Sequence, residues 1–206
     1  MPASSVPIVD RPIRFGAERK RLTIEYRRQH QDPGANSIDI EPRMIVIHHT
    51  GGNSAEGTWR YFNRVRAESG RKRLARAGAV GVSSHFVVAR DGTVLRLMPE
   101  TWMARHVIGL NHVAIGVENV GDLDRHPLTD AQLEANQRLV RYLVANHPTI
   151  NILIGHHEYR AFESHTLFLE RDPKYRNRKG DPGPVFMRRL REGIADLGLK
   201  GPPPSE

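Results

Sequence analysis

The chain of 206 residues contains no cysteine. Disulfides and thiolate metal sites are excluded, so any bound zinc must be held by His, Asp or Glu. No apolar run approaches the roughly 20 residues that a membrane-crossing helix needs. The opening Met1-Pro2-Ala3-Ser4-Ser5 has neither a basic n-region nor an apolar h-region. That start predicts a cytoplasmic protein, or an envelope protein whose leader has been removed. Acidic residues are outnumbered: 31 Lys and Arg face 23 Asp and Glu, for a formal net charge of +8. Such a surplus favours polyanionic partners. The cations are spread along the chain without a nucleic-acid motif, so nucleic acid is not the expected partner.

Hydrophobic residues make up 38% of the chain, but they are clustered. Met44-Ile45-Val46-Ile47 and Ile150–Ile154 read as strands buried on both faces. Ser84–Arg90, Asp91-Gly92 and Thr93–Met98 read as a hairpin with a tight two-residue turn. Val113–Val120 gives a further strand. Helices are expected over 17–31, with Leu22 and Tyr26 on one face, and after the Ser54 cap. Thr129 and Gln132 form a capping box for a helix to about Asn146. A last helix follows Pro184. Residues 1–16 are Pro-rich and irregular, and 70–81 read as a mobile loop. The alternation predicts one α/β domain over 41–199, a central mixed sheet flanked by helices. Residues 1–40 are expected to pack across it as an extension, and 200–206 to form a disordered tail.

Three distant segments carry candidate metal ligands. His48-His49 ends the first buried strand, and His156-His157 follows Gly155 at the end of the second. Asp181 sits in the loop Lys179-Gly180-Asp181-Pro182-Gly183-Pro184. Two imidazoles and a carboxylate leave a fourth tetrahedral corner for water, the arrangement of a hydrolytic zinc site. Adjacent strand residues point to opposite faces, so one histidine of each pair can face an ion. Spacing alone does not choose between them.

These segments resemble the zinc-dependent N-acetylmuramoyl-L-alanine amidases of the type 2 family, which includes peptidoglycan recognition proteins. The resemblance covers roughly residues 43–197. It rests on His48-His49-Thr50, Ser84-His85-Phe86-Val87-Val88 running into Arg90-Asp91-Gly92-Thr93, Ala114-Ile115-Gly116-Val117-Glu118, Gly155-His156, and Lys179 to Pro184. It implies a fold like that of these proteins, and Zn2+ held by His48, His156 and Asp181. It also implies Glu118 as the carboxylate that moves the proton and Lys179 as the cation for the oxyanion. His106, Trp102 and Asn111 resemble cleft positions that contact substrate, and His85 a supporting one. The implied partner is peptidoglycan or a muropeptide. The implied reaction is hydrolysis of the amide between N-acetylmuramic acid and L-alanine, with a non-catalytic peptidoglycan-binding module as the alternative.

The gap from His156 to Asp181 is longer than in many relatives. The inserted stretch Arg160–Arg176 is expected beside the cleft, packed down by Phe162, Leu167, Phe168 and Leu169. It also offers His165 and Asp172 as substitute ligands. Arg71, Arg73 and Arg76 could form a rim for the carboxylates of a stem peptide, or only a solvated loop. His30, His112, His126 and His147 are expected at surface or capping positions.

Overall fold

The structure is a computed structural model that describes residues 6–204. The elements, in chain order, are β1 (Ile8–Asp10), α1 (Ala17–His30), β2 (Met44–His49), α2 (Ala55–Phe62) and α3 (Lys72–Arg76). β3 (Phe86–Val88), β4 (Val94–Arg96), β5 (Ala114–Asn119), α4 (Asp130–Asn146), β6 (Ile152–Gly155) and α5 (Pro184–Glu192) follow. A 3-10 turn, His156–Phe162, continues directly from β6.

Six strands form one mixed sheet in the order β1-β4-β3-β5-β2-β6. β5, β2 and β6 are parallel neighbours, and only β3 and β4 pair antiparallel. β2 and β6 are covered on both faces, which explains their unbroken apolar sequences. Ile45, Ile47, Ile115, Val117 and Leu153 pack against α4 and α5 through Leu139, Leu143, Met187 and Leu190. Met44, Val46, Ala114 and Ile154 point to the other face, toward Leu22 and Tyr26 of α1. Each fully buried aliphatic side chain in these layers contributes about 1.5–3 kcal/mol.

The capping box is present: Thr129 Oγ1 accepts from Gln132 N, and Gln132 Oε1 accepts from Thr129 N. Ser54 Oγ likewise caps α2. The hairpin turn differs from the two-residue form. Gly92 N donates to Ala89 O and Ala89 N to Thr93 O, and only Gly92 has a positive φ, +87°. One left-handed residue makes a three-residue loop closed by a bulge, whereas a type I′ turn needs two.

Several sequence expectations are corrected. Residues 8–10 are not irregular: they pair in parallel with β4, whose edge supplies the hydrogen bonds a three-residue strand cannot generate alone. Residues 70–81 contain α3, and Ala77 and Val80 are buried. His30 is not at the surface. It is buried, with Nδ1 2.8 Å from Glu170 Oε1 and Nε2 2.6 Å from the Ala77 carbonyl. Lys200, expected within a disordered tail, bridges to Ile152: Leu153 N donates to its carbonyl and its own N to Asn151 O. Residues 205–206 of that tail lie outside the described residues.

The early segment packs on the sheet and the cleft. Arg19 is buried and its guanidinium donates to the carbonyls of Phe62 and Arg64. Ile13 joins Val87 and Leu95 in a third apolar cluster.

Candidate functional site

The parallel register builds the site. Cα partners run Met44–Ala114, Val46–Gly116 and His48–Glu118 across β2 and β5. On the other side of β2, Val46 pairs with Ile154 and Ile47 with Gly155. Side chains alternate, so His48, Glu118 and His156 continue the face of Val46, Gly116 and Ile154. All three therefore emerge together at the carboxyl ends of adjacent parallel strands, where open α/β sheets place ligands. This register removes the ambiguity of the histidine pairs. His157 turns instead to Asp181, whose carbonyl accepts from its backbone N at 2.9 Å and lies 3.1 Å from its Nδ1. The role of His157 in holding the Asp181 backbone was missed; the doubled histidine was its only sequence signal.

His48 Nδ1 lies 2.9 Å from His156 Nδ1 and 3.3 Å from Asp181 Oδ2, and His156 Nδ1 lies 2.9 Å from the same oxygen. All three residues are buried. Tetrahedral bonds of 2.0–2.1 Å set ligand atoms about 3.3 Å apart, so this triangle fits a small divalent ion. Burial and the neighbouring His48 push His156 down to about 3. Burial alone would raise the Asp181 carboxyl, but the hydrogen bond from His156 holds it well below the carboxylate range. A neutral imidazole and an ionised carboxylate are the ligand forms a metal requires.

A relay sets the His48 tautomer. His106 Nε2 is 3.2 Å from the Ala114 carbonyl, which can only accept, so this nitrogen carries the proton. His106 Nδ1 is then bare and accepts from His48 Nε2 at 3.0 Å. The His48 proton is thereby committed to Nε2, and the Nδ1 lone pair faces His156 and Asp181. Gly116 makes room for this arrangement: a Cβ there would lie 2.8 Å from the His106 ring.

The cluster opens into a cavity of about 570 Å³, which Glu118, Lys179, His106 and Asn111 also line. Glu118 is half-buried, and its Oε2 is sealed from solvent with no hydrogen-bond partner. Burial pushes its carboxyl up to about 7, against the opposing pull of His48.

The expected substrate contacts meet a different geometry. Both ring nitrogens of His106 are engaged within the protein. Asn111 Oδ1 accepts from His106 N and Val107 N at 2.8 Å each, shaping the loop that carries His106. Trp102 does not line the cavity. Its ring lies 5.1 Å from the tilted Phe15 ring and 4.8 Å from Lys20 Nζ, against the early segment. His85 takes a supporting place, bonded to the Trp102 carbonyl and to Gly116 N. The substitute ligands have local partners: His165 Nδ1 accepts from Leu167 N, and Asp172 Oδ1 from Lys174 N. Among the rim arginines, Arg71 lines the cavity. Tyr26, Tyr61, Arg105 and Tyr175 do so as well. They were missed as wall residues, because their approach depends on contacts between distant segments.

The model of the N-acetylmuramoyl-L-alanine amidase family matches residues 38–184. The chain is 27% identical over 121 residues to peptidoglycan recognition protein 3 of Mus musculus, covering 58% of this chain and 35% of that protein. It is 35% identical over 86 residues to the endolysin of Escherichia phage T7, covering 39% of this chain and 56% of the endolysin. The chain thus spans about half the length of these curated relatives, or less. An endolysine N-acetylmuramoyl-L-alanine amidase from Clostridium intestinale shares the fold, with TM-score 0.60 and 21% identity. That match covers 96% of this chain and 99% of the other. By the family model that spans most of its length and the site at its strand ends, the chain belongs to the N-acetylmuramoyl-L-alanine amidase family.

Proposed function

We propose that the protein is a zinc-dependent amidase that hydrolyses the bond between N-acetylmuramic acid and L-alanine in peptidoglycan or muropeptides. The observation that carries this reading is the convergence of His48 Nδ1, His156 Nδ1 and Asp181 Oδ2 beside Glu118 in one cavity. Family membership supports it.

A zinc ion held by these three atoms would polarise the scissile carbonyl and make bound water a better nucleophile at neutral pH. The chain's own residues supply the rest. Glu118 accepts a proton from the attacking water as its oxygen bonds to the carbonyl carbon. Burial raises this carboxyl in the metal-free protein, and a bound cation would draw it back down, so that it is ionised and able to take the proton near neutral pH. Lys179 presents its ammonium to the developing oxyanion. Glu118 then returns the proton to the alanine nitrogen as the C–N bond breaks. The products are the lactyl carboxylic acid of the sugar and the free amine of the peptide. His106 keeps His48 in the ligand tautomer throughout.

The test is incubation of the purified protein with a muropeptide, with the products identified by mass spectrometry. The expected products are N-acetylmuramic acid and a peptide with a free alanine amine, lost on chelation and restored by zinc. Cleavage at another bond, or full activity with metal confirmed absent, overturns the proposal.

A further inference from the structure

Arg105 is a buried cation without a carboxylate partner. It is 4% exposed, and no Asp or Glu among the described residues lies within ion-pair distance. Its charge is met by dipoles. Nη1 donates to the carbonyls of Gly78 at 2.9 Å and Val80 at 2.7 Å, and Nη2 to the Leu74 carbonyl at 2.8 Å. Nη2 also reaches the Tyr175 hydroxyl at 3.2 Å, and the guanidinium lies 4.6 Å over the Tyr26 ring. Four terminal N–H groups are used on four acceptors, a geometry that only the planar fork provides.

The three carbonyls belong to one segment, 70–81, whose sequence gives it little reason to be ordered. α3 has five residues and no side-chain cap, and Ala77 and Val80 carry the only buried apolar side chains of the segment. A helix of this length is not stable by propensity. Its order comes from side-chain bonds that tie it to distant elements. His30 holds the Ala77 carbonyl beside Arg105. Arg73 of the segment itself bonds to the carbonyls of Lys174 and Arg176.

The segment carries Arg71 and Leu74 into the lining of the cavity. Arg71 donates to the Tyr61 hydroxyl and has no carboxylate partner among the described residues. Its guanidinium keeps donors for a ligand anion.

Resting on the amidase reading, we propose that Arg105 is a positioning residue for substrate recognition. It fastens segment 70–81 as a wall of the cleft, so that Arg71 meets a carboxylate of the substrate's peptide. Arg105 reaches this result through the wall and does not touch the reacting atoms.

The test uses Arg105→Lys and Arg71→Ala in the metal-loaded full chain. Lysine keeps the buried charge but cannot serve four acceptors. Two probes are compared: N-acetylmuramoyl-tripeptide, and N-acetylmuramoyl-L-alanine amide, which lacks the peptide carboxylates. Amide hydrogen exchange at Ala75, Ala77 and Gly78 should quicken by about tenfold or more in Arg105→Lys and stay unchanged in Arg71→Ala. Both variants should raise KM for the tripeptide probe by about tenfold, the scale of one charged hydrogen bond. Their kcat, and KM for the amide probe, should stay within about twofold. Unchanged exchange in Arg105→Lys overturns the positioning role. Faster exchange with an unchanged tripeptide KM overturns the recognition role, and an equal loss on both probes does the same. If the wild type proves inactive, the amidase reading fails, while exchange and calorimetric binding of the two probes still decide this one.

Discussion

Replacing Glu118 by Gln should move activity and stability in opposite directions. The substitution keeps shape and removes the ionisable group. Loss of a positioned general base costs about 10²- to 10⁴-fold in rate, which is about 3–5 kcal/mol of barrier. Stability follows from the carboxyl's environment. In the metal-free protein burial raises Glu118 from 4.5 to about 7. The folded state therefore holds this proton over a pH range in which the unfolded chain has released it. Stability conferred by the neutral form is full below about 4.5 and falls as pH rises toward 7. The full shift corresponds to about 3 kcal/mol, and partial solvent access at half-buried Glu118 reduces this to about 1–2 kcal/mol. Urea denaturation of metal-free wild type and Glu118→Gln at pH 5 and pH 8 reads the effect. The variant should gain about 1–2 kcal/mol relative to wild type between the two values, while the metal-loaded variant retains under about 1% of wild-type kcat. A variant keeping a tenth or more of kcat with normal metal content would refute the assignment of Glu118 as base. Equal pH slopes for the two proteins would refute the burial argument.

Further outcomes are open to measurement. The rate against pH should rise on the acid side as one carboxyl ionises, and the apparent pKa of that limb should lie below 7, because a bound cation pulls Glu118 down; this limb should vanish in the residual activity of Glu118→Gln. Asn136→Ala should cost about 1–3 kcal/mol in chemical denaturation. It strands the buried Asn119, whose Oδ1 accepts from Asn136 Nδ2 and whose Nδ2 donates to the His48 carbonyl. Leu139→Ala, in the layer between α4 and the sheet, should cost about 2–5 kcal/mol with catalytic parameters unchanged in the protein that remains folded.

What could be read from the sequence follows from how local each signal is. The runs Met44–Ile47 and Ile152–Ile154 announce buried strands because a strand covered on both faces has no polar alternation. The Thr129–Gln132 box is visible because its partners are three residues apart. β1 is not visible, since its hydrogen bonds come from β4, more than 80 residues away. The same limit hides α3 and the buried His30–Glu170 contact, which link segments far apart. At the site, residue chemistry reaches both histidine pairs, and the family resemblance takes the first of each with Asp181 and Glu118; the β2–β5 and β2–β6 registers supply the physical reason for that choice. Trp102 shows the cost of reading position without packing. It lies near His106 in sequence and resembles a cleft position, yet Phe15 and Lys20 pack against its ring.

The central claim is that one divalent ion sits among His48, His156 and Asp181. Metal analysis and zinc-edge anomalous scattering from crystals grown with zinc test it together. The account predicts one zinc per chain, bonded to His48 Nδ1, His156 Nδ1 and Asp181 Oδ2, and lost in Asp181→Ala. A zinc ion bound elsewhere, or a fully active protein without one, would contradict it.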